Sequence, residues 1–347
     1  MDSSYKTRLE ESVSFQKEIL PGVSRTFALT IPYLPDNLVG TVTNAYLLCR
    51  MADTIEDDRE LAVEDKFSYH SNLLLAVAKQ NNVNDFVSEL YPRLSKHTPK
   101  AEAELIKNMH QVTMYTWHLV PEEREAIYRC LSIMCRGMQE FNGQICGEGF
   151  ESITNTISYC YYVAGCVGEM LTDLFCLHSS TIGENKLALR KLAISFGQGL
   201  QFTNILKDVW ADEVCSFRFL PKHYYLQKSE MKGLSDLTSH YVKITEDNLV
   251  EACRYGFLIP ESEAKIRLFL FLNIAFAIAT LKRIKRHAGK IYMQNQVKVP
   301  RGEVAVICEQ VRDSICNNKQ LVQCLNRYYS DDKTSNVFTV CLLDEAV

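Results

Sequence analysis

Apolar residues recur at spacings of three and four along most of this chain, the period of an amphipathic helix. The clearest stretch starts at Pro121, where two glutamates follow the proline as in the first turn of many helices. Its apolar residues share one helix face: Ile127, Leu131, Met134, Met138 and Phe141. The same period predicts further helices over residues 36–58, 152–177, 184–211, 261–291 and 303–329. The pattern therefore predicts an all-α protein.

Composition agrees with this prediction. Only 15 glycines and 9 prolines occur in 347 residues, too few for the turns of an all-β protein of this length. The hydrophobic share of 47% and charged share of 23% are typical of a folded globular protein and exclude intrinsic disorder. The formal net charge of −4 gives no broad basic surface, so we expect no nucleic-acid partner.

No internal repeat, low-complexity segment or flexible linker divides the chain. We therefore expect one large domain over residues 15–330, with flexible ends at residues 1–14 and 331–347. The sequence does not set the oligomeric state, and a monomer is the default expectation.

Cysteine usage and the N-terminus bear on the compartment. The 13 cysteines form no CxxC pair and no zinc-ligand spacing with histidine, so we expect free thiols, as in the cytoplasm. The polar start MDSSYKTRLEESVSF lacks the apolar core of an export signal. The longest apolar run, residues 268–281, is shorter than the roughly 20 residues of a membrane span and predicts a buried helix. Peripheral contact with a membrane is left open.

The first candidate site lies near the end of the helix predicted over residues 36–58. Asp53 and Asp57 are four residues apart, about 40° around the helix axis, so both carboxylates project from one face, and Arg50 lies one turn earlier. Like charges at this spacing repel each other, which a bound divalent cation would offset. A solvated acidic helix end is the alternative.

A second polar stripe strengthens the case for a site. Gln201, Asn204, Asp208 and Asp212 fall within an arc of about 80° on a helix that is otherwise mostly apolar. Such a stripe needs a polar partner, a solvated cavity or ions. Two acidic faces of this form predict two walls of one cavity that holds a metal-bridged diphosphate.

Several sequence blocks resemble the squalene and phytoene synthase family of head-to-head prenyltransferases. SRTF at 24–27, DTIED at 53–57, YCYYVAGCVGEML at 159–171 and NILKDVWAD at 204–212 match family motifs in family order. CRGMQEF at 135–141 and VKVPRGEVA at 297–305 resemble squalene synthases more than phytoene synthases. The resemblance implies a single helical domain of the isoprenoid synthase type, with a central cavity between the helices.

The resemblance also implies roles for individual residues. Mg²⁺ on the substrate diphosphates would be held by Asp53, Asp57, Asp208 and Asp212, with Glu56 as a helper. The substrate would be contacted by Ser24, Arg25, Phe27, Arg50, Gln201 and Asn204. Tyr159 matches the tyrosine proposed to assist proton removal or to stabilise a carbocation. NADPH would be bound by Arg218, Lys298 and Arg301.

The implied reaction has two halves. Two farnesyl diphosphates condense to presqualene diphosphate in a Mg²⁺-dependent step, and NADPH then supplies a hydride that gives squalene. The loop at residues 213–221 departs from the pattern of many relatives, because it lacks their glycine and keeps a single basic residue, Arg218. For Lys298 and Arg301, a solvated basic turn is the alternative to cofactor binding.

Three alternatives to this function stay open. A sister enzyme would stop at presqualene diphosphate or make dehydrosqualene, hydroxysqualene or phytoene without reduction, and it would share the acidic motifs. A non-catalytic relative of the fold would be expected to have lost its metal ligands, which are present here. A chain-elongating prenyltransferase or terpene cyclase would need a DDxxD-type pair in another context.

Overall fold

The computed structural model describes residues 3–226, 231–286, 297–330 and 336–342. Within these ranges the chain is almost entirely helical, and the one β-type pairing is an isolated bridge between Phe150 and Pro221. The predicted all-α class is confirmed. By its internal contacts the chain divides into two compact units, Met1–Asn142 and Gly143–Val347.

The first unit consists of helices joined by short turns. They are α1 (Ser3–Val23), α2 (Arg25–Thr30), α3 (Asp36–Asp57), α4 (Val63–Val77), α5 (Val83–Leu90), α6 (Lys100–Lys107), α7 (Met109–His118) and α8 (Pro121–Ile145), of which the last three residues belong to the second unit. The predicted helices at 36–58 and from Pro121 correspond to α3 and α8. The four helices between α3 and α8 are short, and their apolar pattern did not predict them.

A buried amide joins three helices of this unit. Asn44 of α3 is fully buried, and its Nδ2 donates to Gln16 Oε1 of α1 at 2.9 Å and to the Val112 carbonyl of α7 at 2.8 Å. Its Oδ1 accepts a hydrogen bond from Thr116 Oγ1 of α7 at 2.8 Å. Because every polar atom of this amide has a partner, the network fixes how α1 and α7 pack on α3.

The described residues near both ends of the chain form helical structure. Residues 3–14 form the first half of α1, where Ser12 is fully buried and donates a hydrogen bond to the Gln111 carbonyl. Near the C-terminus, Val337–Leu342 forms a 3₁₀ turn that buries Phe338 and Cys341. Both segments therefore contain buried side chains. Residues 1–2, 331–335 and 343–347 lie outside the described residues.

The second unit is built around longer helices. They are α9 (Ile153–Cys160), α10 (Cys166–His178), α11 (Ser180–Gly183), α12 (Lys186–Val214), α13 (Lys222–Leu226), α14 (Met231–Phe257), α15 (Ala264–Arg286), α16 (Arg301–Ser314) and α17 (Asn318–Tyr329). A π-helical turn, Tyr161–Gly165, joins α9 to α10. The predicted helix at 303–329 is two helices, since the chain turns at residues 315–317.

The turn at residues 315–317 is hydrogen-bonded to the side chain of Arg267. This side chain of α15 is fully buried, and its guanidinium donates to the Ile259 carbonyl at 2.9 Å and the Ile315 carbonyl at 3.3 Å. It also donates to Asn318 Oδ1 at 2.5 Å, at the start of α17. A buried cation needs such partners, and they are supplied by the turn between α16 and α17.

Two helical stretches, Ile153–His178 and Glu261–Arg286, are long and apolar enough to cross a membrane by length and composition. In the second stretch, 83% of the apolar window is buried inside the protein, and in the first 56%. The run at residues 268–281 is therefore a core helix, as predicted. All 13 cysteines lie in the described part of the chain, and none of them is in a disulfide, as predicted.

The close crossing of α12 with α10 and the π-helical turn depends on glycine. A Cβ on Gly168 would lie 1.9 Å from the Ala193 carbonyl oxygen, and one on Gly197 would lie 2.0 Å from the Ala164 carbonyl oxygen. Any side chain there would collide with backbone of the neighbouring helix. These glycines thus fix the segment that follows Tyr159 against α12.

Candidate active site

One face of the last two turns of α3 carries Arg50, Asp53 and Asp57. Arg50 Nη1 lies 3.5 Å from Asp53 Oδ2, and Arg50 Nη2 donates to the Tyr46 hydroxyl at 3.1 Å. That hydroxyl in turn donates to the Val23 carbonyl at 3.1 Å. The guanidinium of Arg50 is therefore held by a partner one turn away on each side, Tyr46 before it and Asp53 after it.

Burial disfavours the charged form of both carboxyl groups on this face. Burial raises the pKa of Asp53, although Arg50 opposes the shift. The pKa of Asp57 rises to about 7, because surrounding protein excludes much of the stabilising water and Asp53 adds a like charge. Asp57 nevertheless keeps an exposed surface from which it can bind a ligand.

Magnesium fits this donor set. A divalent cation beside Asp53 and Asp57 would favour the ionised carboxylates, and hard oxygen ligands are those that Mg²⁺ prefers. Over the part of the chain that the structure describes, no three His, Cys, Asp or Glu side chains lie close enough to hold an ion by themselves. Mg²⁺ takes one or two carboxylates from a protein and completes its shell with water and phosphate.

Glu56 differs from the two aspartates. Its side chain is buried, with 5% of its surface exposed, whereas Asp53 is partly and Asp57 largely exposed. Helix α4 also fastens this turn of α3. Lys66 Nζ donates to the Glu56 carbonyl at 2.6 Å, and His70 Nε2 lies 3.1 Å from the Ala52 carbonyl. Both contacts hold the backbone from which the acidic side chains project.

The SRTF element lies next to Tyr46, the residue to which Arg50 donates a hydrogen bond. Ser24 caps α2, since its Oγ accepts a hydrogen bond from the Phe27 amide at 3.0 Å. The cap sets the Phe27 ring 5.1 Å from the ring of Tyr46, the residue that orients Arg50. Arg25 is exposed. The structure thus brings Ser24, Phe27 and Arg50 together through Tyr46, to which the sequence pattern assigned no role.

In the second unit, α12 carries the predicted polar stripe. Asn204 is exposed, whereas Gln201, Asp208 and Asp212 are half-buried along the same face. Lys207 lies beside the stripe, with its Nζ 3.2 Å from Asn204 Oδ1 and 3.1 Å from Asp208 Oδ2. This cation partly offsets the acidic charge, and the sequence pattern had not singled it out.

Tyr159 lies at the end of α9, one residue before the π-helical turn. It is 3% exposed, and its ring lies 5.5 Å from those of Phe150 and Phe219, stacked on Phe219 at an interplanar angle of 25°. Phe219 belongs to the loop that departs from the family pattern. This loop therefore supplies one aromatic wall of the Tyr159 environment.

Arg218 of that loop makes contacts within the second unit. Its backbone amide donates to the Ile145 carbonyl at 2.9 Å, and its Nη1 donates to the Gly147 carbonyl at 2.8 Å. Its guanidinium also lies 5.5 Å from the centre of the Tyr225 ring. Arg218 thus fastens the loop to residues 145–150. Lys298 and Arg301 are exposed, Arg301 as the first residue of α16.

The model of the squalene/phytoene synthase family matches residues 20–303, most of the chain. The chain belongs to the squalene/phytoene synthase family. The resemblance inferred from the motifs is confirmed. The chain is 33% identical over 310 residues to squalene synthase 10 of Panax ginseng. This match covers 86% of the chain and 70% of the ginseng protein.

Two fungal relatives are more distant in sequence. A squalene synthase of Gibberella zeae is 28% identical over 309 residues, 84% of this chain and 63% of the fungal protein. A probable squalene synthase of Neurospora crassa is 28% identical over 346 residues, 94% of this chain and 66% of the fungal protein. The chain thus spans slightly less than two thirds of the length of each fungal protein.

Solved structures share the fold of this family member. A complex of TcSQS with the ligand E5700 superposes with a TM-score of 0.71 at 23% identity, covering 96% of this chain and 97% of the other. A dehydrosqualene synthase complex superposes with a TM-score of 0.61 at 18% identity, covering 90% and 99%. The predicted isoprenoid synthase type of fold is thereby confirmed.

Proposed function

We propose that the chain is a squalene synthase, a farnesyl-diphosphate farnesyltransferase. It condenses two farnesyl diphosphates to presqualene diphosphate in a Mg²⁺-dependent step and reduces this intermediate with NADPH to squalene. The observation that carries the proposal is the preorganised Arg50–Asp53–Asp57 face of α3 in a chain of the squalene/phytoene synthase family. Curated relatives with this activity support it.

The acidic residues hold the substrate in this proposal. Asp53 and Asp57, and likewise Asp208 and Asp212, would hold Mg²⁺. When bound, Mg²⁺ would supply positive charge that stabilises diphosphate as a leaving group. Arg50, held by Tyr46, donates to phosphate oxygens, where its fork geometry fits.

The remaining substrate contacts follow from exposure and neighbours. Ser24, Arg25 and Phe27 extend the Arg50 wall, while Gln201 and Asn204 line the α12 stripe. Glu56 is a helper in this proposal, although its side chain is buried. Tyr159, flanked by two aromatic rings, assists proton removal or stabilises the carbocation. Its apolar surroundings exclude water that would trap the cation.

Only the similarity to squalene synthases supports the NADPH-dependent half of the proposed reaction. Arg218 already donates to the Gly147 carbonyl, and Lys298 and Arg301 are exposed near the start of α16. Arg218, Lys298 and Arg301 bind NADPH in this proposal through their positive charge, and we derive no step from their present contacts.

We further propose one catalytic domain over residues 15–330 and a cytoplasmic monomer with peripheral membrane contact. The contact is expected because squalene is an apolar product that partitions into lipid. Sedimentation of the purified protein tests the monomer, and flotation with phospholipid vesicles tests the contact. Sedimentation as a dimer, or absence from the vesicle fraction, would contradict the respective part.

Product analysis tests the function directly. Purified protein is incubated with farnesyl diphosphate and Mg²⁺, with and without NADPH, and the products are separated. Squalene formed only with NADPH is the expected result. Presqualene diphosphate, dehydrosqualene or hydroxysqualene regardless of NADPH would move the chain to a sister activity. Absence of any C30 product with Mg²⁺ would overturn the proposal.

A further inference from the structure

The residue that follows the acidic motif is a buried carboxylate with four hydrogen bonds. Asp58 is 4% exposed, and its Oδ1 accepts from the amides of Glu60 at 2.9 Å and Leu61 at 3.2 Å. Its Oδ2 accepts from the Ser95 amide at 2.7 Å and from Thr98 Oγ1 at 2.9 Å. Asp58 therefore ties the end of α3 to the segment that leads into α6.

That segment determines where α6 begins. Thr98 precedes Pro99, the N-cap residue of α6, so the bond from Thr98 to Asp58 lies one residue before the cap. Glu102 stands in the first turn of α6 and accepts a hydrogen bond from Thr54 Oγ1 of α3 at 3.3 Å. Asp58 thus fixes the end of α6 that bears Glu102 to the end of α3.

Glu102 lies within the electrostatic reach of the site. Burial raises its pKa, Arg50 lowers it and Asp53 raises it. Glu102 also raises the pKa of Asp57. The Glu102 carboxyl is therefore coupled electrostatically to Arg50, Asp53 and Asp57.

We infer that Glu102 is a positioning residue of the diphosphate site, which acts through Arg50 and Asp53, and that Asp58 sets its place. The inference rests on the proposed function. Glu102 increases the attraction of the α3 face for a divalent cation and competes with free diphosphate for Arg50. Removing the charge of Glu102 should therefore weaken cation binding and strengthen diphosphate binding, whereas a general loss of structure would weaken both.

The first test compares Glu102→Gln with wild type in two binding measurements without farnesyl diphosphate. Mn²⁺ affinity is measured by electron paramagnetic resonance, and metal-free inorganic diphosphate affinity by calorimetry. We expect Mn²⁺ to bind about threefold to tenfold more weakly and diphosphate to bind about twofold more tightly. Weakening of both ligands would indicate a structural role and overturn the inference, as would no change in either.

Glu104→Gln is the matched control. Glu104 lies on the same helix, is exposed, and accepts a hydrogen bond from Asn108 Nδ2 at 2.7 Å. We expect both affinities to stay at wild-type values. A response equal to that of Glu102→Gln would show that net charge on α6, rather than the place of Glu102, matters, and would overturn the inference.

The second test addresses Asp58. Asp58→Asn leaves one of its two acceptor oxygens, and we expect it to weaken Mn²⁺ binding as Glu102→Gln does. The double variant should bind Mn²⁺ no more weakly than the worse single variant, because both act through one path. Additive losses would overturn the role of Asp58. If Asp58→Asn does not fold, Thr98→Val removes one of the four bonds and takes its place in the cycle.

The inference and the proposed function fail in different ways. Wild-type protein that binds Mn²⁺ and diphosphate with the expected response to Glu102→Gln, yet gives no C30 product, would refute the function and keep the binding role of Glu102. Product formation together with unchanged binding in Glu102→Gln would keep the function and refute the inference.

Discussion

Arg50 and Tyr46 lie one turn apart on α3, and the guanidinium donates to the phenol oxygen at 3.1 Å. Because Tyr46 is itself bonded to the Val23 carbonyl and packed on Phe27, it connects the SRTF element to the acidic motif. Tyr46 thereby brings together two motifs that are about 25 residues apart in the chain.

We expect Tyr46→Phe to lower kcat/KM for farnesyl diphosphate by about tenfold. A hydrogen bond to a charged group contributes about 1.5–3 kcal/mol, and part of this loss is offset as Arg50 finds water. Steady-state kinetics measures the effect, and circular dichroism checks the fold. Tyr91→Phe, an exposed tyrosine of the same unit, is the control and should leave kcat/KM unchanged. Wild-type kinetics in Tyr46→Phe would refute the orienting role.

Asp53→Asn and Asp208→Asn should each abolish formation of presqualene diphosphate and leave the fold intact. Each change removes a charge that holds Mg²⁺ in the proposed mechanism and keeps the size of the side chain. Asp36→Asn is a matched control, because it changes the same residue type about 25 Å along α3 from Asp53. Product assays measure the outcome, and wild-type turnover in either site variant would contradict the metal assignment.

Tyr159→Phe should lower kcat with little change in KM. The substitution keeps the ring between Phe150 and Phe219 and removes only the hydroxyl, so packing is preserved. Thermal unfolding should stay within a few degrees of wild type. An unchanged kcat would reduce Tyr159 to a packing residue.

His70 should make stability depend on pH. Burial lowers its pKa from 6.5 to about 4, and its Nε2 must carry a proton to donate to the Ala52 carbonyl. Below pH 6.5 the histidine of the unfolded chain is protonated, whereas in the folded protein it stays neutral until about pH 4. His70 therefore lowers the stability of the fold as the pH falls from 6.5 to about 4. The contribution is about 3 kcal/mol at most.

The measurement compares urea unfolding of wild type and His70→Gln at pH 7.5 and pH 5. Asp57 and Glu102 have raised pKa values and act in the opposite direction, so the difference between the two proteins isolates the histidine. We expect the wild type to lose stability relative to the variant at pH 5. His97→Gln, at an exposed position, should track the wild type. Parallel pH profiles of wild type and His70→Gln would refute the prediction.

Gly197→Ala should destabilise the second unit by about 3 kcal/mol or more, because its Cβ would overlap the Ala164 carbonyl oxygen. Gly143→Ala is the contrasting variant. A Cβ there meets no atom within 4 Å, and the helix should gain about 0.5–1 kcal/mol. Chemical unfolding measures both changes, and equal stability of the two variants would contradict the close crossing.

The acidic faces follow from the sequence, because positions three and four apart share a helix face whatever the helix packs against. Asp53 with Asp57 on α3, and Asp208 with Asp212 on α12, were placed in this way. The long helices were predicted for the same reason, since their apolar stripes are regular. The local period is a property of the chain itself.

Only the tertiary structure decided which residues from distant parts of the chain contact one another. Glu102 reaches α3 from a helix that looks like any short amphipathic segment, and Arg218 turned out to fasten its loop to the Gly147 carbonyl. Arg267 ended a periodic stretch that the sequence continued through residues 315–317. Each of these contacts joins residues far apart in the chain, and local periodicity contains no information about such pairs.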